Sequence, residues 1–297
     1  MQRTIAPRGV SDTDESGRVS GGFAESRWRV IRPTRRWRPH LDLGELWAQR
    51  ELALILAARD LRLRYRQTLF GVAWAVLQPL IAMGIFTGIF GSLTSIPSDG
   101  LPYPVFVLAG LVVWFFLLTA VSAAAESLIE HRDLVTRVWF PRMLAPVAAV
   151  LAAGLDLLIS LVLLAVAMIA YGVAPGLQLL TLPVWILVAL LLALAAGVWL
   201  CAANVLYRDV RYALAFLLQV WLFASPVVFP SSLVHGAWQL LFYLNPAAGL
   251  LDGFRWAVVD GPAPSAWVAI SAASLTGLLA AGAIYFRSVE RTFADRI

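Results

Sequence analysis

Apolar residues along this chain gather into six blocks: Phe70–Leu93, Pro104–Ala125, Met143–Ala170, Leu182–Leu206, Tyr212–Phe229 and Ala266–Phe286. A bilayer core about 30 Å thick is crossed by roughly 20 helical residues rising about 1.5 Å each. The pattern therefore predicts an all-α polytopic membrane protein with six transmembrane helices, of which the fifth is the shortest. A seventh apolar stretch, Ser231–Val259, is broken by Gly236, Asn245-Pro246, Gly249, Asp252 and Gly253, and is not counted as a span. With Pro226 and Pro230 ahead of it, this stretch predicts two short re-entrant helices meeting near Asn245, a lid between spans five and six. Non-helical backbone at membrane depth is tolerated only where protein or a water-filled cavity covers it.

Ahead of the first block the pattern changes twice. Residues 1–40 are rich in Arg, Ser, Gly and Pro with few aliphatics, the composition of a flexible arm with too little apolar surface to pack. Arg35, Arg36 and Arg38 suit contact with anionic headgroups, or merely a solvated tail. Residues 41–66 turn helical: at 100° per residue Leu43, Leu46, Trp47, Leu54, Ala57, Ala58, Leu61 and Tyr65 share a stripe. That stripe predicts an amphipathic helix lying along the membrane surface and partly covered by protein. Residues 67–297 then form the six-helix domain.

Charge orients these blocks. Arg59, Arg62, Arg64 and Arg66 precede span one; Arg132, Arg137 and Arg142 lie between spans two and three; Arg208 and Arg211 lie between four and five; Arg287, Arg291 and Arg296 follow six. The joints Thr94–Tyr103 and Tyr171–Thr181 carry no arginine, and Arg255 is the exception on that side. The positive-inside rule places both termini in the cytoplasm. This topology accounts for the net charge of +5 without nucleic acid. The first 40 residues hold no apolar core of a cleavable signal peptide.

Chemistry is bounded mostly by exclusion. The chain contains no lysine, so it has no Walker A loop, whose lysine grips the terminal phosphates of ATP. Any ATP-driven work needs a second polypeptide. Cys201 is the sole cysteine, which forbids an intrachain disulfide and a cysteine metal site. His40, His131 and His235 fall in separate regions and predict no catalytic cluster or metal site. No cofactor is expected, and the chain reads as a non-enzyme. Asp156 in span three is the one intramembrane acid, and sequence offers it no basic partner at that depth. It should face the bundle interior, as a relay group or hydrogen-bonded between helices.

Aromatic residues are numerous: Phe86 and Phe90 in span one, Trp114, Phe115 and Phe116 in span two, Trp221 and Phe223 in span five, then Phe229, Trp238, Phe242 and Tyr243. Rings of this kind stack against sugars, as they do against bases, or anchor a helix at the membrane interface. The joint Glu126–Arg142 is the longest inward segment. It predicts a short helix ending before Pro141 that either docks on a cytoplasmic partner or only satisfies the charge rule.

Five segments in fixed order carry a resemblance: RDLRLRYRQTLFGVAWAVLQPL (Arg59–Leu80), YPVFVLAGLVVWFF (Tyr103–Phe116), LVTRVWFPR (Leu134–Arg142), YRDVRYALAFLLQVWLFASPVVFP (Tyr207–Pro230) and LNPAAGLLDGFRW (Leu244–Trp256). From about Glu51 onward the chain resembles the permease subunits of type-2 ABC exporters for cell-surface polysaccharides such as O-antigens, capsular glycans and teichoic acids. The resemblance implies two permeases and two ABC ATPase subunits per transporter, in the bacterial cytoplasmic membrane. It makes the helix before span one an interface helix. Glu130, His131, Arg132, Asp133 and Arg137 become the ATPase-coupling segment, and Trp238, Phe242, Asn245, Pro246 and Arg255 the outer gate.

On the same footing Phe86, Phe90, Trp114, Phe115, Phe116, Trp221, Phe223 and Tyr243 line a sugar path in a homodimer. Arg59, Arg62, Arg64 and Arg66 are expected either to meet the phosphate of a lipid-linked glycan, since the guanidinium fork matches phosphate oxygens, or to serve topology alone. An exporter of a lipid or hydrophobic drug is the alternative. A membrane-embedded transferase lacks the acids or histidines it needs, and a passive channel has no use for a docking segment.

Overall fold

Helix is what a bilayer demands of a chain this apolar, because each backbone N–H and C=O is then satisfied within its own segment. The computed structural model describes residues 43–66, 73–93, 97–132, 141–207, 209–290 and 293, and among them there is no strand. Two helices, α1 (Leu43–Ala48) and α2 (Arg50–Arg66), precede the bundle. The bundle consists of α3 (Ala73–Phe86, continued as π-helix over Thr87–Leu93), α4 (Tyr103–Glu130), α5 (Leu144–Ala170) and α6 (Leu182–Leu206), then α7 (Asp209–Phe223), α8 (Trp238–Tyr243), α9 (Pro246–Val259) and α10 (Val268–Val289). The arm over residues 1–40 and the segment expected to hold a helix before Pro141 lie outside the described residues, as do Asp133 and Arg137.

Five of these helical stretches are long and apolar enough to cross a membrane: Ala73–Gly91, Tyr103–Glu130, Leu144–Ala170, Leu177–Leu206 and Val268–Val289. The fifth expected block is corrected. Its helix, α7, has 15 residues, which rise only about 22 Å. The chain then turns at Ala224 and Ser225, where Pro226 has no N–H to continue the ladder and disfavours helical backbone in the residue before it.

α4 is the axis of the bundle. Val105–Val113 are buried without a break, and α4 packs against α3, α5, α6, α7 and α9. Between apolar helices in lipid no hydrophobic force drives association, so close packing of small residues does more of the work. The seam of α4 with α6 illustrates it: a Cβ added to Gly197 would lie 2.5 Å from the Cβ of Ala124. α2 uses the same device. Leu56 and Ala57 cluster with Ala148 and Ala152 of α5, while Trp47 and Leu54 of the expected apolar stripe are exposed. Of that stripe Ala57 is buried, and the face that α2 turns to the bundle is Ala53, Leu56 and Ala57, continued by Asp60 and Arg64.

Replacing Gly197 with Val must part α4 from α6 or distort both. Such overpacking costs about 1–3 kcal/mol, so the thermal unfolding midpoint in detergent should fall by several degrees. An unchanged midpoint would show that this seam has slack.

Candidate functional site

One end of α2 is fastened by two polar contacts that a stripe of apolar residues does not reveal. Asp60 and Arg64 stand one turn apart, so they share a face. Arg64 Nη1 donates to Asp156 Oδ2 of α5 at 2.7 Å, with both side chains largely covered. This corrects the expectation that Asp156 lacks a basic partner. Asp60 Oδ1 lies 3.1 Å from Nε2 of His131, the residue after α4. The other ring nitrogen, Nδ1, is 2.7 Å from the Ser127 carbonyl. A carbonyl can only accept, so Nδ1 is the donor and the imidazolium form donates to both partners. The bond to Asp60 raises the His131 pKa; burial opposes it, and the Ser127 carbonyl adds to the rise. Below this pair a crevice of about 390 Å³ opens between α2, α4 and α5, lined by Asp60, Leu63, Arg64 and Glu130 among others.

The expected basic cluster therefore divides. Arg59 and Arg62, three positions apart on α2, are exposed, whereas Arg64 points inward to Asp156. The side chain of Arg66 lies outside the described residues. In the expected coupling set Glu130 and Arg132 are exposed and His131 is 4% exposed. His131 is thus buried at the end of α4, bonded to Asp60 and to the Ser127 carbonyl.

At the opposite end of α4 the broken stretch after α7 is held by one buried cation. Arg255 of α9 is 4% exposed and lies 3.8 Å from the ring centre of Phe106. Its Nη1 and Nη2 donate to the carbonyls of Pro226 and Val227, each at 2.6 Å, and Nε donates to Phe106 O at 3.4 Å. Tyr103 OH donates to Val228 O at 2.9 Å. Three successive carbonyls of an irregular segment are thereby satisfied by side chains. Gly110 makes room, since any Cβ there would meet Val227 O and the Arg255 guanidinium.

α8 and α9 meet at Asn245, which caps α9 by accepting from Ala247 N at 3.1 Å. The same amide accepts from Trp221 Nε1 at 2.9 Å and donates to Ala224 O and Ser225 Oγ. Pro246 occupies the first turn of α9, where a missing N–H is harmless. Phe242 packs between Phe229 and Tyr243, and Trp238 is exposed.

The expected aromatic set is not one patch. Trp114 and Trp221 meet edge to face, their centres 5.6 Å apart, and Phe86 stacks on Phe90 at 5.9 Å. Trp114, Phe116 and Tyr243 are buried within the chain, and Tyr243 OH donates to Asp252 at 2.7 Å. Phe86, Phe90, Phe115 and Trp221 are partly covered, and Phe223 is exposed. Among the described residues no group of three or more His, Cys, Asp or Glu could hold a metal ion.

Several helices long and apolar enough to cross a membrane, with an irregular segment between α7 and α9, fit a multi-pass membrane protein. Residues 51–259 match the family model described as ABC-2 type transporter, and the chain belongs to that family. It is 33% identical to the O-antigen export system permease protein RfbA of Myxococcus xanthus, over 85% of this chain and 98% of that protein. It is 21% identical to the protein of the same name from Klebsiella pneumoniae, over 86% and 96% of the two chains. Identity to the polysialic acid transport protein KpsM of Escherichia coli is 27%, over 69% of this chain and 80% of that one.

Two predictions test the α2 attachments. Arg64→Gln or Asp156→Asn alone should destabilise the protein, by less than the about 3–5 kcal/mol of a fully buried pair because water reaches both groups. The exchange Arg64→Asp with Asp156→Arg should recover part of that loss in thermal unfolding, and failure of every exchange would show that the charges act separately. For His131 the folded pKa is raised, so its contribution is complete below the ordinary histidine value and lost as pH rises through the folded value. Wild-type stability should therefore fall as pH rises above the ordinary histidine range, by more than that of His131→Gln. Equal pH slopes would remove this pair from the account.

Proposed function

We propose that two copies of this chain form the membrane pathway of an exporter that moves a lipid-linked cell-surface polysaccharide across the bacterial cytoplasmic membrane. Both termini lie inside, and two copies of a separate ABC ATPase supply the energy. The observation that carries this reading is the similarity to the Myxococcus xanthus O-antigen export permease over nearly all of that protein. Three features of the molecule agree. A chain without lysine must borrow its nucleotide chemistry. α3 buries only Pro79, and α7 only Leu214 and Leu218, which leaves two apolar helices uncovered in the single protomer, as a second copy requires. Partly exposed rings at Phe86, Phe90, Phe115, Trp221 and Phe223 offer stacking surfaces without tight hydrogen bonds, which lets a polymer slide.

In this mechanism Arg59 and Arg62 receive the phosphate of the lipid carrier, since Arg64 is engaged by Asp156. ATPase closure acts on the segment from Glu130 to Arg137. His131 and Asp60 join that segment to α2, so both move as one body. The hairpin of α8 and α9, with Asn245 and Pro246 at its bend, Trp238 and Phe242 on α8 and Arg255 on α9, closes the outer end.

Co-expression with an ABC ATPase encoded in the same gene cluster should yield a stable complex of equal subunit numbers, with ATP hydrolysis stimulated by lipid-linked glycan. Arg59→Gln with Arg62→Gln should lower export several-fold while leaving membrane insertion intact. A chain that purifies only alone, or that supports stimulated hydrolysis by lipids without any glycan, would overturn the reading.

A further inference from the structure

The end of the bundle where α4 begins holds a cavity that the translocation mechanism does not use. Its volume is about 190 Å³, room for several waters. That is below the about 300–1,000 Å³ of sites for drug-sized ligands, so the cavity suits a small ligand of about one ring. Five separate pieces of chain converge on it. Asp99 comes from the loop before α4, Ser231 and Ser232 from the turn after Pro230, Gln239 and Tyr243 from α8, and Asp252 from α9. The loop over residues 261–265 supplies Pro262 and Pro264.

We propose that this cavity is a saccharide subsite that takes a single uncharged pyranose ring. Sugars present hydroxyls along their edges and C–H groups on their faces, and the lining offers a counterpart to each. Ser231 Oγ and Tyr243 OH donate to the two oxygens of Asp252 at 2.8 and 2.7 Å, and Ser232 Oγ donates to Asp99 at 2.8 Å. An ionised carboxylate has about four acceptor sites, so each is oriented by its neighbours and keeps capacity for ligand hydroxyls. The prolines contribute C–H surface and no competing N–H.

Charge sets the selectivity. Two carboxylates face the cavity, and the one cation beside them, Arg255, is held by backbone carbonyls. Uronic, sulfated or phosphorylated rings are disfavoured there. The walls are also fixed in advance, because Arg255 and Tyr103 pin the segment leading to Pro230, and preorganisation removes part of the cost of binding. The subsite rests on the export reading only in placing it where a glycan emerges; the lining alone selects the probe.

The test is saturation-transfer NMR on the full chain in nanodiscs, with the methyl glycosides of glucose, galactose, mannose and rhamnose, and methyl glucuronide as the anionic probe. At least one neutral glycoside should bind in the millimolar range, and the glucuronide more weakly. Asp99→Asn should weaken that binding roughly ten-fold or more, the worth of a hydrogen bond to a charged group. Asp99 has φ 52°, a conformation that Asn tolerates, so the variant keeps its fold. Asp252→Asn should act in the same direction. Absence of transfer from every neutral glycoside, equal binding of the glucuronide, or an unaltered response in Asp99→Asn would overturn the subsite. Export measured separately in cells keeps the two readings distinct: a working exporter that binds no glycoside loses only this one.

Discussion

A single guanidinium decides whether the most irregular part of this protein can exist inside an apolar bundle. The segment after α7 leaves helical geometry at Pro226 and would bury bare carbonyls at Pro226 and Val227. An unsatisfied buried polar group costs roughly 1–3 kcal/mol, so neither is tolerable without a donor. Arg255 serves both, with α4 contributing the Phe106 ring beneath it and the Gly110 notch that admits the peptide. That contact ties α9 to the segment after α7, while the bonds of Asn245 hold the bend. Lysine could not replace it, since a point charge on a flexible stem lacks the fork that reaches two carbonyls together.

The other end of the molecule is organised by complementary polar pairs. Ala53, Ala57, Asp60 and Arg64 of α2 fall at intervals of four, three and four, and Ala145, Ala148, Ala152 and Asp156 of α5 at three, four and four. Small residues come first and charge last on both. Leu56 and Ala57 meet Ala148 and Ala152, and Arg64 meets Asp156, so the two helices run side by side in the same direction. His131 adds α4 to this group through Asp60.

Much of this was legible in the chain. Hydropathy placed α6 to the residue and α5 to within one, because long apolar runs bounded by charge have no other stable form in lipid. Proline spacing foretold the bend at Asn245. Two things were not legible. Averaged hydropathy is blind to where a proline ends a ladder, so α7 was overextended by six residues, from Phe223 to Phe229. The partner of Asp156 lies 92 residues away, and a count of apolar stripes gives weight to Leu54 and Ala58 where contact depends on small residues and charge. The matching rows on α2 and α5 were the available signal. As for the aromatics, composition could list the rings but could not tell the buried Trp114 and Phe116 from the open Phe223.

The tight seam at Gly197 and Ala124 has a mechanical corollary. Where two backbones already touch through a lone methyl group, no intermediate separation exists that leaves the contact intact, and lipid tails are too thick to enter. α4 and α6 must accordingly travel as a welded pair. On the proposed two-copy reading, an aperture for a polymer would be bounded by the sparsely packed surfaces of α3 and α7, and the least covered helices would be the ones that move.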